Sequence, residues 1–142
     1  MLKFLTEDTK ITVVKTAQAA GTSTITSDSV DMQGYDGVCF LCYYGTAAAN
    51  NLITAEQSAD DSSYADLEGS QPNSAGASTE LQYVDIVRPT DRYVRIDAVR
   101  GTSSTIDLIL AIRYRARSRA IDNNTAGTIE GERLLSPAEG TA

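Results

Sequence analysis

The residues best equipped for chemistry in this chain are arginines. In the run Arg113, Tyr114, Arg115, Ala116, Arg117, Ser118, Arg119 a guanidinium falls at every other position. In an extended segment Arg113, Arg115, Arg117 and Arg119 therefore share one face, because strand side chains alternate. Such planar, permanently charged forks suit paired hydrogen bonds to carboxylates or phosphates. The chain as a whole carries a net charge of −7, so the stripe stands out from its background. Other reactive types are scarce. Histidine is absent, which removes the commonest general base near neutral pH and the commonest metal ligand. No nucleophile–base pair presents itself, so the expectation is a protein that is not an enzyme and uses no cofactor or metal.

The stripe leaves three readings open. It is a solvated strand face, a contact with acidic surface on another protein or a neighbouring copy, or a nucleic-acid contact. The third is the weakest, because phosphate binding recruits a wider basic field, whereas the lysines are Lys3, Lys10 and Lys15 alone. The acidic balance also weighs against bulk attraction to nucleic acid or membrane. Asp60, Asp61, Asp66 and Glu68 offer carboxylates to such a stripe, although an ordinary soluble hairpin tip is the better reading of them. Arg88, Arg92 and Arg95 gather around Pro89 with Asp85 and Asp91 and read as a charged, internally paired turn. Cys39 and Cys42 lie in an apolar run, Val38 to Tyr43, where a strand points them to opposite faces and disfavours a disulfide. Two small, reduced core residues are the simpler reading.

Strand wording fills the first 119 positions. Lys10–Ala17, Thr22–Met32, Gly37–Tyr44, Asn51–Ser58, Tyr64–Glu68, Thr79–Val87, Arg92–Arg100 and Thr105–Arg119 are β-branched, alternating or apolar, and Gly, Pro, Asn, Asp and Ser separate them. Gly37–Tyr44, apolar throughout, reads as a central strand covered on both faces. Leu81 and Tyr83 are expected to pack, and the last strand to run unbroken to Arg119. A helix over Ala47–Asp61 is a lesser alternative. About seven or eight strands at this spacing predict an all-β, antiparallel sandwich, jelly-roll-like. The domain spans residues 1–119, with 1–9 a candidate N-terminal arm. From Ala120 the periodicity ends, and residues 120–142 read as an extended C-terminal arm dotted with Ile129, Leu134 and Leu135, either disordered or docked on a neighbour. No stretch is long and apolar enough to cross a bilayer, and the first residues turn acidic too early for a signal peptide, so a cytoplasmic site of synthesis is expected.

Several phrases, in order, are similar to the small β-sandwich decoration (cement) proteins of tailed-phage capsids. They are Gly37-Val38-Cys39-Phe40-Leu41 with Gly45-Thr46, Glu56 to Leu67 ending in Gly69-Ser70, Arg88-Pro89-Thr90-Asp91-Arg92-Tyr93-Val94-Arg95, and the tail Ser136 to Ala142. The resemblance covers the chain from about Val30 onward and carries strand and turn wording, with no catalytic signature. It implies a homotrimer on the outer surface of a phage head, bound to the major capsid protein and stabilising the expanded shell. The stripe and the apolar residues of the arm would supply the contacts. The cysteine pair departs from what the resemblance implies. The alternatives are another virion structural subunit, such as a tail-tube or head-completion protein, and, further off, a carbohydrate-binding sandwich.

Overall fold

The computed structural model describes residues 3–72, 79–118, 121–135 and 139–140. After a single 3₁₀ turn, Leu5–Glu7, the strands are β1 (Lys10–Lys15), β2 (Gln18–Gly21), β3 (Ile25–Thr26), β4 (Val30–Asp31), β5 (Gly37–Tyr44) and β6 (Leu52–Ser58). They continue as β7 (Ala65–Asp66), β8 (Glu80–Val87), β9 (Tyr93–Val99), β10 (Ser104–Ile106) and β11 (Leu108–Tyr114). A front sheet has the order β1-β11-β5-β8, and a back sheet the order β3-β9-β6-β7 with β4 also on β9. β10 and β2 pair separately as a ribbon. With β3 and β4 taken as one interrupted strand, the chain visits front, back, front, back, back, front, back and front. This is a jelly-roll sandwich of two antiparallel sheets, the architecture that the strand spacing predicts.

The core lies between the sheets. On β9 the alternation is strict: Val94, Ile96 and Ala98 are buried, while Tyr93, Arg95, Asp97 and Val99 turn outward. Facing them from the front sheet are Val38, Phe40 and Cys42 of β5 with Ile109 and Ala111 of β11, all fully buried. Each large apolar side chain buried in this way contributes about 1.5–3 kcal/mol. Tyr44 is buried too, and its hydroxyl donates to the Val99 carbonyl at 3.1 Å. Burial pushes the Cys42 thiol up to about 12. Cys39 faces the other way and both cysteines are free, as opposite-facing strand positions require.

Three expectations are corrected. The strand over Thr105–Arg119 breaks at Asp107 and stops at Tyr114. Ile106 and Ile109 are both fully buried, so the inside–outside alternation slips between them and the arginine side of β11 becomes the core side. Beyond Tyr114 the backbone leaves the sheet: Ala116 N–H donates to the Asp8 carbonyl and Arg117 N–H to the Gly34 carbonyl, at 2.9 and 2.8 Å. Secondly, Leu81 and Tyr83 do not pack. They are 53% and 64% exposed, and the polar Gln82 between them is buried, donating to the Asn51 carbonyl. Thirdly, β5 is central but covered on one face only, since Tyr43 is exposed and Cys39 and Leu41 are half-buried. The expected hairpin at Asn51–Glu68 forms as β6 and β7, in place of the alternative helix, and the span Thr22–Met32 divides into β3 and β4.

Candidate functional site

One end of the sandwich gathers arginines from separate parts of the chain. Gly37, at the start of β5, pairs with Tyr114 on one side and Val87 on the other, so β11 and β8 end flanking it. Each strand is followed by an arginine in the left-handed region, Arg115 and Arg88, both at φ 53°. That conformation is uncommon outside glycine, asparagine and aspartate. Asp36 ties the two ends together: its N–H donates to the Tyr114 carbonyl at 3.2 Å and its carbonyl accepts from Arg88 N–H at 2.7 Å. Neither the Arg88 nor the Arg115 guanidinium has a hydrogen bond or ion pair among the described residues. Arg117 is 77% exposed and only loosely held, 3.8 Å from Asp36. Arg88, Arg92 and Arg117 line an open cleft of about 600 Å³ with Tyr35, Asp36 and Asp91. Arg92 is already engaged, donating twice to Asp31 at 2.9 and 2.7 Å. That bond holds the Asp31 carboxyl below its ordinary range.

The predicted stripe is therefore dispersed. Arg113 points inward, stacks 4.6 Å from the Tyr35 ring centroid and donates to the Asp31 carbonyl at 2.7 Å. It supports the loop after β4 instead of being presented to a partner. Arg115 and Arg117 sit at the arginine end, off the strand, and Arg119 lies outside the described residues. The strand expectation passed over Arg88 and Arg92 as members of the same group. Their signal was present in Arg88-Pro89-Thr90-Asp91-Arg92, which follows a strand and carries unbalanced positive charge. The charged turn is not internally paired as expected: Arg92 reaches Asp31, Arg95 reaches Glu56 at 2.7 Å, and Asp85 accepts from the Tyr114 hydroxyl at 2.6 Å. The acidic tip satisfies itself, because Asp60 accepts from the Ser62 and Ser63 N–H groups, and these bonds keep its carboxyl well below the usual range.

The arm begins by binding its own body. Asn123 accepts from Ile11 N–H at 2.6 Å and donates to the Thr6 and Thr9 carbonyls, and Arg133 donates to Thr6 and to the Ile121 carbonyl. Ile129 is half-buried in a hollow shared with Ile11 and Ile121, so it is used within the chain. Leu134 and Leu135 are 59% and 68% exposed.

The outer faces of the two sheets differ in character. On the back sheet Thr26 donates to Asp97, and Arg95 binds Glu56 while lying 3.6 Å over the Tyr64 ring. On the front sheet the register places Val13, Leu110, Leu41 and Tyr83 in one row and Leu108, Tyr43 and Leu81 in the next. Among the outward positions of β5, β8 and β11 Asp85 alone is charged, and Tyr114 already binds it, while at the β1 margin Lys15 follows the buried Val14 and also turns outward.

No protein-family model and no curated protein matches the chain. Among solved structures it is similar to XepA, an exported protein of phage PBSX, with a TM-score of 0.55 and 15% identity across 87% of this chain. The chain spans 43% of the length of XepA. At that identity the likeness is one of fold: this jelly-roll sandwich is an architecture also used by a phage protein.

Proposed function

We propose that the protein is a non-catalytic structural component of a tailed phage, a decoration (cement) protein that docks its arginine end on the outer surface of the head. The observation that carries the reading is the group formed by the uncommitted guanidinium groups of Arg88 and Arg115 and the exposed, loosely held Arg117, at one end of an otherwise acidic molecule. A chain of net charge −7 needs a local basic contact to approach another acidic protein surface. Arginine forks are suited to bidentate contact with the carboxylates of such a surface. The architecture shared with a phage exported protein supports the setting. Each exposed pair contributes only about 0.2–1 kcal/mol, so stable attachment comes from repetition over many copies, the expected trimer included. Binding the expanded shell in preference to its precursor stabilises that state by mass action.

Sedimentation of the protein with purified heads that lack it tests the reading. Wild-type protein should co-sediment, and Arg88→Glu combined with Arg115→Glu and Arg117→Glu should lose at least about tenfold in affinity while keeping the fold, since three contacts reverse sign. Unchanged binding by this variant would refute the assignment of the arginine end. A second reading, an assembly released from the cell and not carried on particles, is favoured by the exported status of XepA. Recovery of the protein from culture fluid free of particles would select it.

A further inference from the structure

The outer face of the front sheet calls for a cover, and we propose that a second copy of this chain supplies it, sheet face against sheet face. Leu81, Tyr83 and Val87 of β8 are 53%, 64% and 59% exposed, and Tyr43 beside them 40%. Behind them Leu41 and Leu110 complete a continuous apolar surface. Soluble monomers seldom leave a contiguous patch of this kind open. The back sheet shows what an outer face built for water looks like in the same molecule, with Thr26–Asp97 and Arg95–Glu56 pairs across its strands.

Two observations select a second copy as the occupant. The first is charge. Copies of a chain at −7 repel unless they meet through a neutral surface, and this face holds a single carboxylate, Asp85, already bound by the Tyr114 hydroxyl. A partner recognised by charge would find only Lys15, at the β1 margin, to read there. The second is size. The four strands, of six, seven, eight and eight residues, are about 25 Å long on average, and with side-chain margins the sheet is about 24 Å wide, giving roughly 600 Å² of projected face. A stable interface buries about 800 Å² of accessible surface per partner, which a pleated face of this projected size approaches. Two such faces pack as the layers of a sandwich do, about 10 Å apart.

This inference is independent of docking on a head. Sedimentation velocity of the full chain over a wide concentration range tests it, with Leu81→Lys and Tyr83→Lys as face variants and Glu68→Lys as an exposed control. Wild-type and Glu68→Lys proteins should sediment as a multiple of the chain mass. The face variants should sediment at half the wild-type mass with unchanged circular dichroism, association through the face falling at least about 100-fold because an ammonium would be buried without a partner. The triple arginine variant should keep the wild-type mass, separating this contact from head binding. A wild-type monomer at all concentrations, or Tyr83→Lys protein of unchanged mass, would overturn the proposal. So would a monomer that becomes oligomeric when the chain is cut after Arg133, because the exposed Leu134 and Leu135 would then be covering the face from within.

Discussion

Gly37→Ala tests how the arginine end is held. A Cβ at Gly37 would lie 2.2 Å from the Tyr114 ring, which crosses β5 there to reach Asp85 on β8. The ring must swing away, and the 2.6 Å hydroxyl–carboxylate bond breaks. A partly exposed hydrogen bond of this kind contributes about 0.5–1.5 kcal/mol, and for a domain of this size 1 kcal/mol corresponds to roughly 2–5 °C in Tm. The assay is a double-mutant cycle of thermal melts with Tyr114→Phe. In the wild type Tyr114→Phe should cost about 1 kcal/mol, and in the Gly37→Ala background close to nothing, because the bond is already gone. The pH dependence gives an independent reading. Burial, and then the bond to Asp85, raise the Tyr114 phenol to about 12. The unfolded chain therefore ionises first, near pH 10. The neutral form is the one favoured by folding, so the stability it contributes is complete below that value and is lost as pH rises towards 12. Tyr114→Phe should flatten this alkaline loss. If Tyr114→Phe costs the same in both backgrounds, the strut across Gly37 does not exist as described.

The left-handed arginines yield a separation of stability from binding: Arg115→Gly should leave Tm unchanged or raise it by the equivalent of about 0.5 kcal/mol, whereas the β-branched Arg115→Val should cost about 1–2 kcal/mol, both read by thermal melts. Phe40→Ala, at a fully buried position, should cost about 3–5 kcal/mol in denaturant unfolding. The Asp31 carboxyl is depressed by Arg92, so its contribution is present above its unfolded pKa and lost as pH falls through the lower folded value. Asp31→Asn should therefore reduce stability at neutral pH and narrow the gap to the wild type under acid, as followed by melts across pH. Asn123→Ala should release the arm, seen as faster amide exchange at Ile11, whose N–H Asn123 accepts.

Where local pattern and burial coincide, the sequence is readable. The strict alternation of Val94, Ile96 and Ala98 states both the strand and its inner face, and the Asp60-to-Ser63 tip announces its turn through side chains that bind the adjacent backbone. The failures share a physical cause: alternation tells which residues share a face but not which face meets the core. On β8 the inner position is taken by Gln82 and the outer ones by Leu81 and Tyr83, the reverse of hydrophobic ranking. On β11 the slip near Asp107 turns Arg113 inward, and that slip depends on β10 leaving to pair with β2, a long-range choice with no local mark. The arginine end was half visible. Arg115 and Arg117 stand out in the sequence as members of a stripe, but their meeting with Arg88 depends on Gly37 bringing two distant strand ends together.

The two margins of the front sheet are unequal. At β1, Asn123 occupies the outward N–H of Ile11 and Asp28 N–H occupies the Val14 carbonyl, while beyond β8 no strand lies among the described residues. A sheet sealed at one margin can be lengthened only from the other. Two open margins can meet once, after which neither front sheet has a margin left for a third molecule to extend, a stop on that sheet against the fibrous growth that exposed strand edges invite.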